Sequence, residues 1–212
     1  MRFALVTALA LLTATVAHAQ DNGLTVYSGW RFGGSFQQDD PNAPPSSNPP
    51  PQVPVQLRDG SAFSVALDLG LDAKRQFEIL LSRHNTGLRL AQGGTLPLRV
   101  LTLHVGGTNF FDASDTRLGQ IGRAPYIVGG LGVSQMSPGL DGYQSETRPS
   151  MNVGFGWMQP VGSHLALRFE MRGYLTLLKG SGSLFCSGGC TLKISGDTLT
   201  QGEVMLGLMT RF

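Results

Sequence analysis

"LALRFEMRGYL", residues 165–175, sets Arg168, Glu170 and Arg172 among Leu165, Leu167, Phe169 and Met171. On a helix, residues 168 and 172 would share a face and 170 would point nearly opposite, so charge would spoil both sides. At period 2 the three charged residues share one face and the four apolar residues the other. The stretch reads as a strand with one apolar and one charged side. What each side touches decides the fold.

The same alternation recurs along the chain. "LTVYSGWRFGGSF" sets Leu24, Val26, Trp30, Phe32 and Phe36 against Thr25, Tyr27, Arg31 and Ser35, and "SAFSVALDLGL" sets Phe63, Val65, Leu67, Leu69 and Leu71 against Ser64, Ala66, Asp68 and Gly70. "QFEILLSRH", "RVLTLHVGGTNFF", "PYIVGGLGVSQ", "SMNVGFGWM" and "GEVMLGLMTRF" raise the count to eight strands. Most are about 9–11 residues long, the length a tilted membrane strand needs.

The links between strands alternate in length. Those at 72–75 and 158–163 are short, those at 37–60, 83–97, 137–148 and 179–198 are long, and 112–123 is intermediate. Long loops at one rim and short turns at the other fit an outer-membrane barrel with extracellular loops and periplasmic turns. Residues 39–55 hold seven of the 12 prolines. They read as a stiff, extended segment, excluded from any strand, within a Pro-rich extracellular loop at 37–60.

The first residues address the compartment. Arg2, an apolar run from Phe3 to Val16 and the small-x-small Ala17-His18-Ala19 predict a cleaved signal peptide at 1–19. One domain, 20–212, follows, and it lacks a run of about 18 apolar residues that could form a helical span. A formal net charge of +2 argues against a nucleic-acid partner. Cys186 and Cys190, in "LFCSGGCTL", read as a local disulfide in an oxidising compartment. The rival is metal binding, and no His, Asp or Glu stands within five residues of either cysteine to support it.

One face of the strands is almost free of charge, and the other carries Arg31, Asp68, Glu78, His104, Arg168, Glu170, Arg172, Glu203 and Arg211. The interior of an eight-stranded barrel is just wide enough to be filled by side chains. Charges buried there must be paired, so the apolar face is the one that meets lipid. The inverse, a soluble periplasmic lipocalin-like ligand binder with its charges in water, is the alternative.

Folding the sixth strand onto the seventh about residue 161 predicts Gly154 opposite Arg168 and Asn152 opposite Glu170. Arg31 and Glu203, each about nine residues from the periplasmic end, should share a height across the closing seam. The expected lumen is a plug in which Glu170 and Glu203 bridge Arg168, Arg172 and Arg31, or else a set of isolated pairs. His84, His104 and His164 fall at three different heights, and His84 with Ser82 shares a face but no motif. No enzyme activity, metal or cofactor is expected.

"LHVGGTNFF", "APYIVGGLGVS", "ALRFEMRGYLTLL" and "GLMTRF" resemble the outer-membrane β-barrel domain family of small Gram-negative barrels, and more distantly the OmpA- and OmpW-like barrels. The resemblance implies an all-β, eight-stranded antiparallel up-and-down transmembrane barrel in the cell outer membrane, with both termini in the periplasm. It implies no particular activity. In such barrels the terminal strand is the signal read by the barrel-insertion machinery; Gly207 and Phe212 match that pattern, whereas Met205 and Thr210 depart from it. A monomer surrounded by outer-membrane lipids is expected, acting as a structural or surface-interaction protein. A narrow or gated pore for small or hydrophobic solutes is the second expectation.

Overall fold

The computed structural model describes residues 22–40, 43–44, 51–72, 74–89, 93–111, 124–139, 144–178, 194–195 and 198–212. The expected signal peptide at 1–19, Cys186 and Cys190 lie outside the described residues. Among the described residues eleven strands follow one another: β1 (Gly23–Phe32), β2 (Ser35–Asp39), β3 (Gln52–Gln56), β4 (Gly60–Gly70), β5 (Arg75–Arg89), β6 (Thr95–Phe110), β7 (Ala124–Pro138), β8 (Glu146–Pro160), β9 (Leu165–Leu177), β10 (Ile194–Ser195) and β11 (Thr198–Arg211).

Eight of them close into an antiparallel barrel in the order β1-β11-β9-β8-β7-β6-β5-β4. Closure comes from β1, which pairs with β4 on one side and β11 on the other. Closing the sheet leaves no barrel edge to be covered or charged. Asn22 and Phe212 meet at one end, where the Phe212 N–H donates to the Asn22 carbonyl at 3.1 Å. That end also carries the link from β4 to β5 and the turn at 161–164. In the first, Asp72 Oδ1 accepts from the Lys74 and Arg75 N–H groups at 2.9 Å each. The Arg75 side chain and these N–H groups hold the Asp72 carboxyl below its usual range.

The apolar faces point outward. Leu24, Trp30, Phe63, Leu103, Leu131, Val153, Phe155, Phe169 and Leu206 are exposed, while Arg31, Asp68, Arg168 and Glu170 on the same strands are fully buried. A water-soluble barrel requires the reverse arrangement. Trp30, Phe32 and Phe63 mark the band's edge at the loop end, and Trp157, Phe169 and Phe212 its edge at the terminal end, as aromatic girdles do in membrane barrels.

Four expectations need correction. Residues 39–55 are not strand-free, because β3 contains Pro54 paired with Gln37. The second sheet runs β10-β2-β3, so β3 is an edge strand, where the missing N–H of a proline costs no ladder bond. Phe36 does not share the outward face of β1; it is 1 % exposed, buried at the loop end. Gly33 and Gly34, at φ 79° and 102°, turn the chain between β1 and β2 through backbone geometry open chiefly to glycine.

The connection at 83–97 is shorter than its polarity suggests, since β5 runs on to Arg89 and β6 starts at Thr95. Finally, the β8–β9 register differs: Gly154 stands opposite Arg172, Gly156 opposite Glu170, and Met158 opposite Arg168. Strand β8 continues through Pro160, which pairs with Ala166, so the fold point lies beyond residue 161.

Candidate functional site

The lumen has three zones. At the terminal end Phe110, Tyr126, Val128, Met158, Ala166 and Met209 form an apolar layer. At the loop end Phe36, Val55 and Leu57, carried in by β2, β3 and the residue after β3, pack on Leu88, Leu96, Leu98, Val100, Met136, Leu178 and Leu199. Between the two lies the charge.

The charged centre is a chain of five residues. Arg168 Nη1 lies 2.6 Å from Asp68 Oδ2 and its Nη2 3.0 Å from Glu170 Oε1. Arg172 Nε lies 2.6 Å from Glu170 Oε2, and its two Nη groups each lie 2.8 Å from an oxygen of Glu78. Arg172 therefore holds Glu78 bidentately, the strong guanidinium–carboxylate geometry. Glu170 also accepts the hydroxyls of Tyr27 and, at 2.6 Å, Tyr126. Three carboxylates thus face two guanidiniums, and the two tyrosine donors offset the surplus negative charge. The Arg168 guanidinium stands 4.8 Å from the centre of the Tyr126 ring, a cation–π distance.

Glycines make room for these tyrosines. Tyr27 lies opposite Gly207, and Tyr126 opposite Gly156. A Cβ on Gly207 would come within 2.6 Å of Tyr27 Cε1, and one on Gly156 within 2.5 Å of the Tyr126 hydroxyl. Such glycines with an aromatic ring laid across them recur in curved sheets. Gly207 therefore has a packing role on the lumen side, while Phe212 is exposed on the outside.

Arg31 and Glu203 stand apart from this chain. They are directly opposite each other across the β1–β11 seam and pair at 2.5 Å, both fully buried. Arg31 also donates to Ser82 Oγ at 2.8 Å and lies 4.0 Å from the centre of the Tyr174 ring. Glu203 is the cross-strand partner of Arg172, yet the ion pairs of Arg172 run to Glu170 and Glu78. The five residues singled out from sequence thus fall into two groups: Arg168, Glu170 and Arg172 in one, Arg31 and Glu203 in the other.

Asp68 and Glu78 complete the first group and were not assigned to it from sequence. They are cross-strand partners on β4 and β5. Two carboxylates placed opposite each other repel, so they need cations from elsewhere in the ring. That forced pairing is the sequence signal that points to Arg168 and Arg172.

The histidines do not converge. His84 Nδ1 contacts the Ser61 carbonyl at 3.2 Å rather than Ser82, His104 Nε2 contacts Ser150 Oγ at 2.8 Å, and His164 lies in the β8–β9 turn beside Ser163. Among the described residues no three His, Cys, Asp or Glu side chains are arranged to hold a metal ion.

Closed eight-strand topology, a charged interior and an outward apolar band with aromatic edges define the class: the fold is that of the small outer-membrane barrels. The chain is similar to three solved structures of that class. Neisserial surface protein A matches at TM-score 0.54 and 13 % identity, covering 89 % of this chain and 97 % of that one. OprG from Pseudomonas aeruginosa matches at 0.55 and 8 %, covering 91 % and 97 %. AlkL, solved in lipid bilayers, matches at 0.55 and 10 %, covering 94 % of each chain. No protein-family model and no curated protein matches the chain.

Proposed function

We propose that the protein is an integral outer-membrane barrel with a closed, charge-filled lumen, acting as a structural or surface-interaction protein. The observation that carries this reading is the lumen itself. The Asp68–Arg168–Glu170–Arg172–Glu78 chain crosses it, and an apolar layer closes each end. In this reading a signal peptide is removed, and outer-membrane lipids surround the band. The insertion machinery reads β11 through Gly207 and the adjoining Phe212, and Cys186 and Cys190 form a disulfide within the loop joining β9 to β11. The barrel works as a monomer and presents the segments between β1 and β4 and between β9 and β11 to the outside.

Planar-bilayer recording tests the closed lumen. The purified protein is expected to give no steady conductance; large, steady steps would contradict the reading.

A second reading, a gated path for small hydrophobic solutes, draws on the loop end. There the apolar lining sits beneath a β2–β3 hairpin attached through Gly33 and Gly34. In that case liposomes carrying the protein would take up such a solute, and Glu170→Ala would speed entry. The soluble ligand-binding alternative calls for a polar outer face, whereas Leu131, Val153, Phe155 and Leu206 are exposed on the outside of this barrel.

A further inference from the structure

The β5–β6 hairpin reverses its polarity partway along. On its outward face β5 presents Phe77, Ile79 and Leu81, then Arg83, Asn85, Gly87 and Arg89. Outward on β6 come Val105, Leu103 and Leu101, then Arg99, Pro97 and Thr95. Inward, at the level of the arginines, Leu88, Leu96, Leu98 and Val100 are buried. Below this boundary the hairpin is apolar outside and mostly polar inside; above it the order is inverted. The switch marks the depth at which the wall leaves the acyl chains and enters the headgroup layer.

Arg83 and Arg99 stand just above that line, with Arg58 and Arg89 farther along the same outward face. Arg83 is opposite Leu101, and Asn85 opposite Arg99, so Arg83 and Arg99 are diagonal neighbours about 7–8 Å apart. Arg58 crosses the same face. Its N–H donates to the Gly87 carbonyl at 2.8 Å, and its Cδ lies 3.5 Å from where a Cβ on Gly87 would stand. Arg89 continues the outward row. All four are exposed, and none takes part in the ion pairs of the described residues. The adjacent acid, Asp59, uses Oδ1 to accept the Gly33 N–H at 3.1 Å.

We propose that this arginine face binds the phosphate groups of the outer-leaflet glycolipid, phosphate esters carried on a sugar headgroup. The inference rests on the outer-membrane reading above. A guanidinium fork matches a phosphate bidentately, and two forks at this spacing can clamp one group. The long side chains lay their methylenes along the apolar band and lift their charge to the headgroups. Depth selects a lipid over a soluble anion. The arginines face away from the barrel mouth, and Arg83 lies beside Phe63, its cross-strand partner.

The test uses the full-length protein folded in neutral detergent and titrated with lipid A, with lipid A stripped of its phosphates, and with inorganic pyrophosphate. Lipid A is expected to bind at least tenfold more tightly than either of the others. Each arginine near a lipid surface is worth about fivefold in affinity, so Arg83→Gln with Arg99→Gln should weaken lipid A binding roughly 25-fold. Lys74→Gln, at the opposite rim, should leave it unchanged.

Equal binding of the phosphate-free lipid, an unaltered affinity in the double variant, or pyrophosphate binding as tightly as lipid A would each overturn the proposal. Heat-modifiable gel mobility of every variant reports the folded barrel separately. If the unaltered protein is recovered as a soluble protein without detergent, the outer-membrane reading itself fails.

Discussion

Replacing Arg168 with methionine is expected to cost the folded barrel about 3–5 kcal/mol, the cost of removing one partner of a buried ion pair. Arg168 is fully buried and touches Asp68 at 2.6 Å and Glu170 at 3.0 Å. Without it, Asp68, Glu78 and Glu170 share Arg172 alone, and the carboxylate of Asp68 has lost its cation. Urea titration of the protein in detergent, followed by gel mobility, measures the loss. Pairing Arg168→Met with Asp68→Leu should return most of it, because both ends of that pair become apolar together. In a lumen filled with water the pair would be screened, and the single variant would cost about 1 kcal/mol or less. The magnitude therefore separates a packed core from an aqueous channel.

The second large effect lies outside the barrel. Val153 is 69 % exposed in the middle of the apolar band. At an exposed position in water, Val153→Arg would change stability within about 0.5 kcal/mol. In a bilayer the same change, near the midplane, is expected to cost about 2–4 kcal/mol. Folding into lipid vesicles should fall accordingly, while a matched change at exposed Arg99, to Gln, should leave folding intact. No difference between the two would mean that the band does not meet lipid.

The eight barrel strands and the sorting of their faces were legible in the sequence for one physical reason. An outward face that is apolar at most positions leaves a period-2 trace as clear as the one over residues 165–175. Where the apolar band stops, so does the trace. Asn85 and Arg89 continue β5, but their polarity reads as loop. Pro54 reads as a strand breaker, yet it sits harmlessly on the edge strand β3. Phe36 keeps the alternation of β1 in sequence, while Gly33 and Gly34 turn it inward.

The charged centre was partly legible. Arg168, Glu170 and Arg172 announce themselves on one strand, but their partners Asp68 and Glu78 lie across the ring. Which cation meets which carboxylate there depends on barrel closure and on register. The β8–β9 register shows the difficulty: Pro160 still pairs, the fold point moves, and each partner shifts along the strand.

The central claim, that the apolar face meets lipid and the charged face is interior, has a direct test in the unmodified protein. Its two tryptophans, Trp30 and Trp157, both point outward, 56 % and 45 % exposed. In vesicles of acyl-chain-brominated lipid, tryptophan fluorescence is expected to be strongly quenched, and aqueous acrylamide should quench it weakly. Strong acrylamide quenching with no response to the brominated lipid would contradict the account.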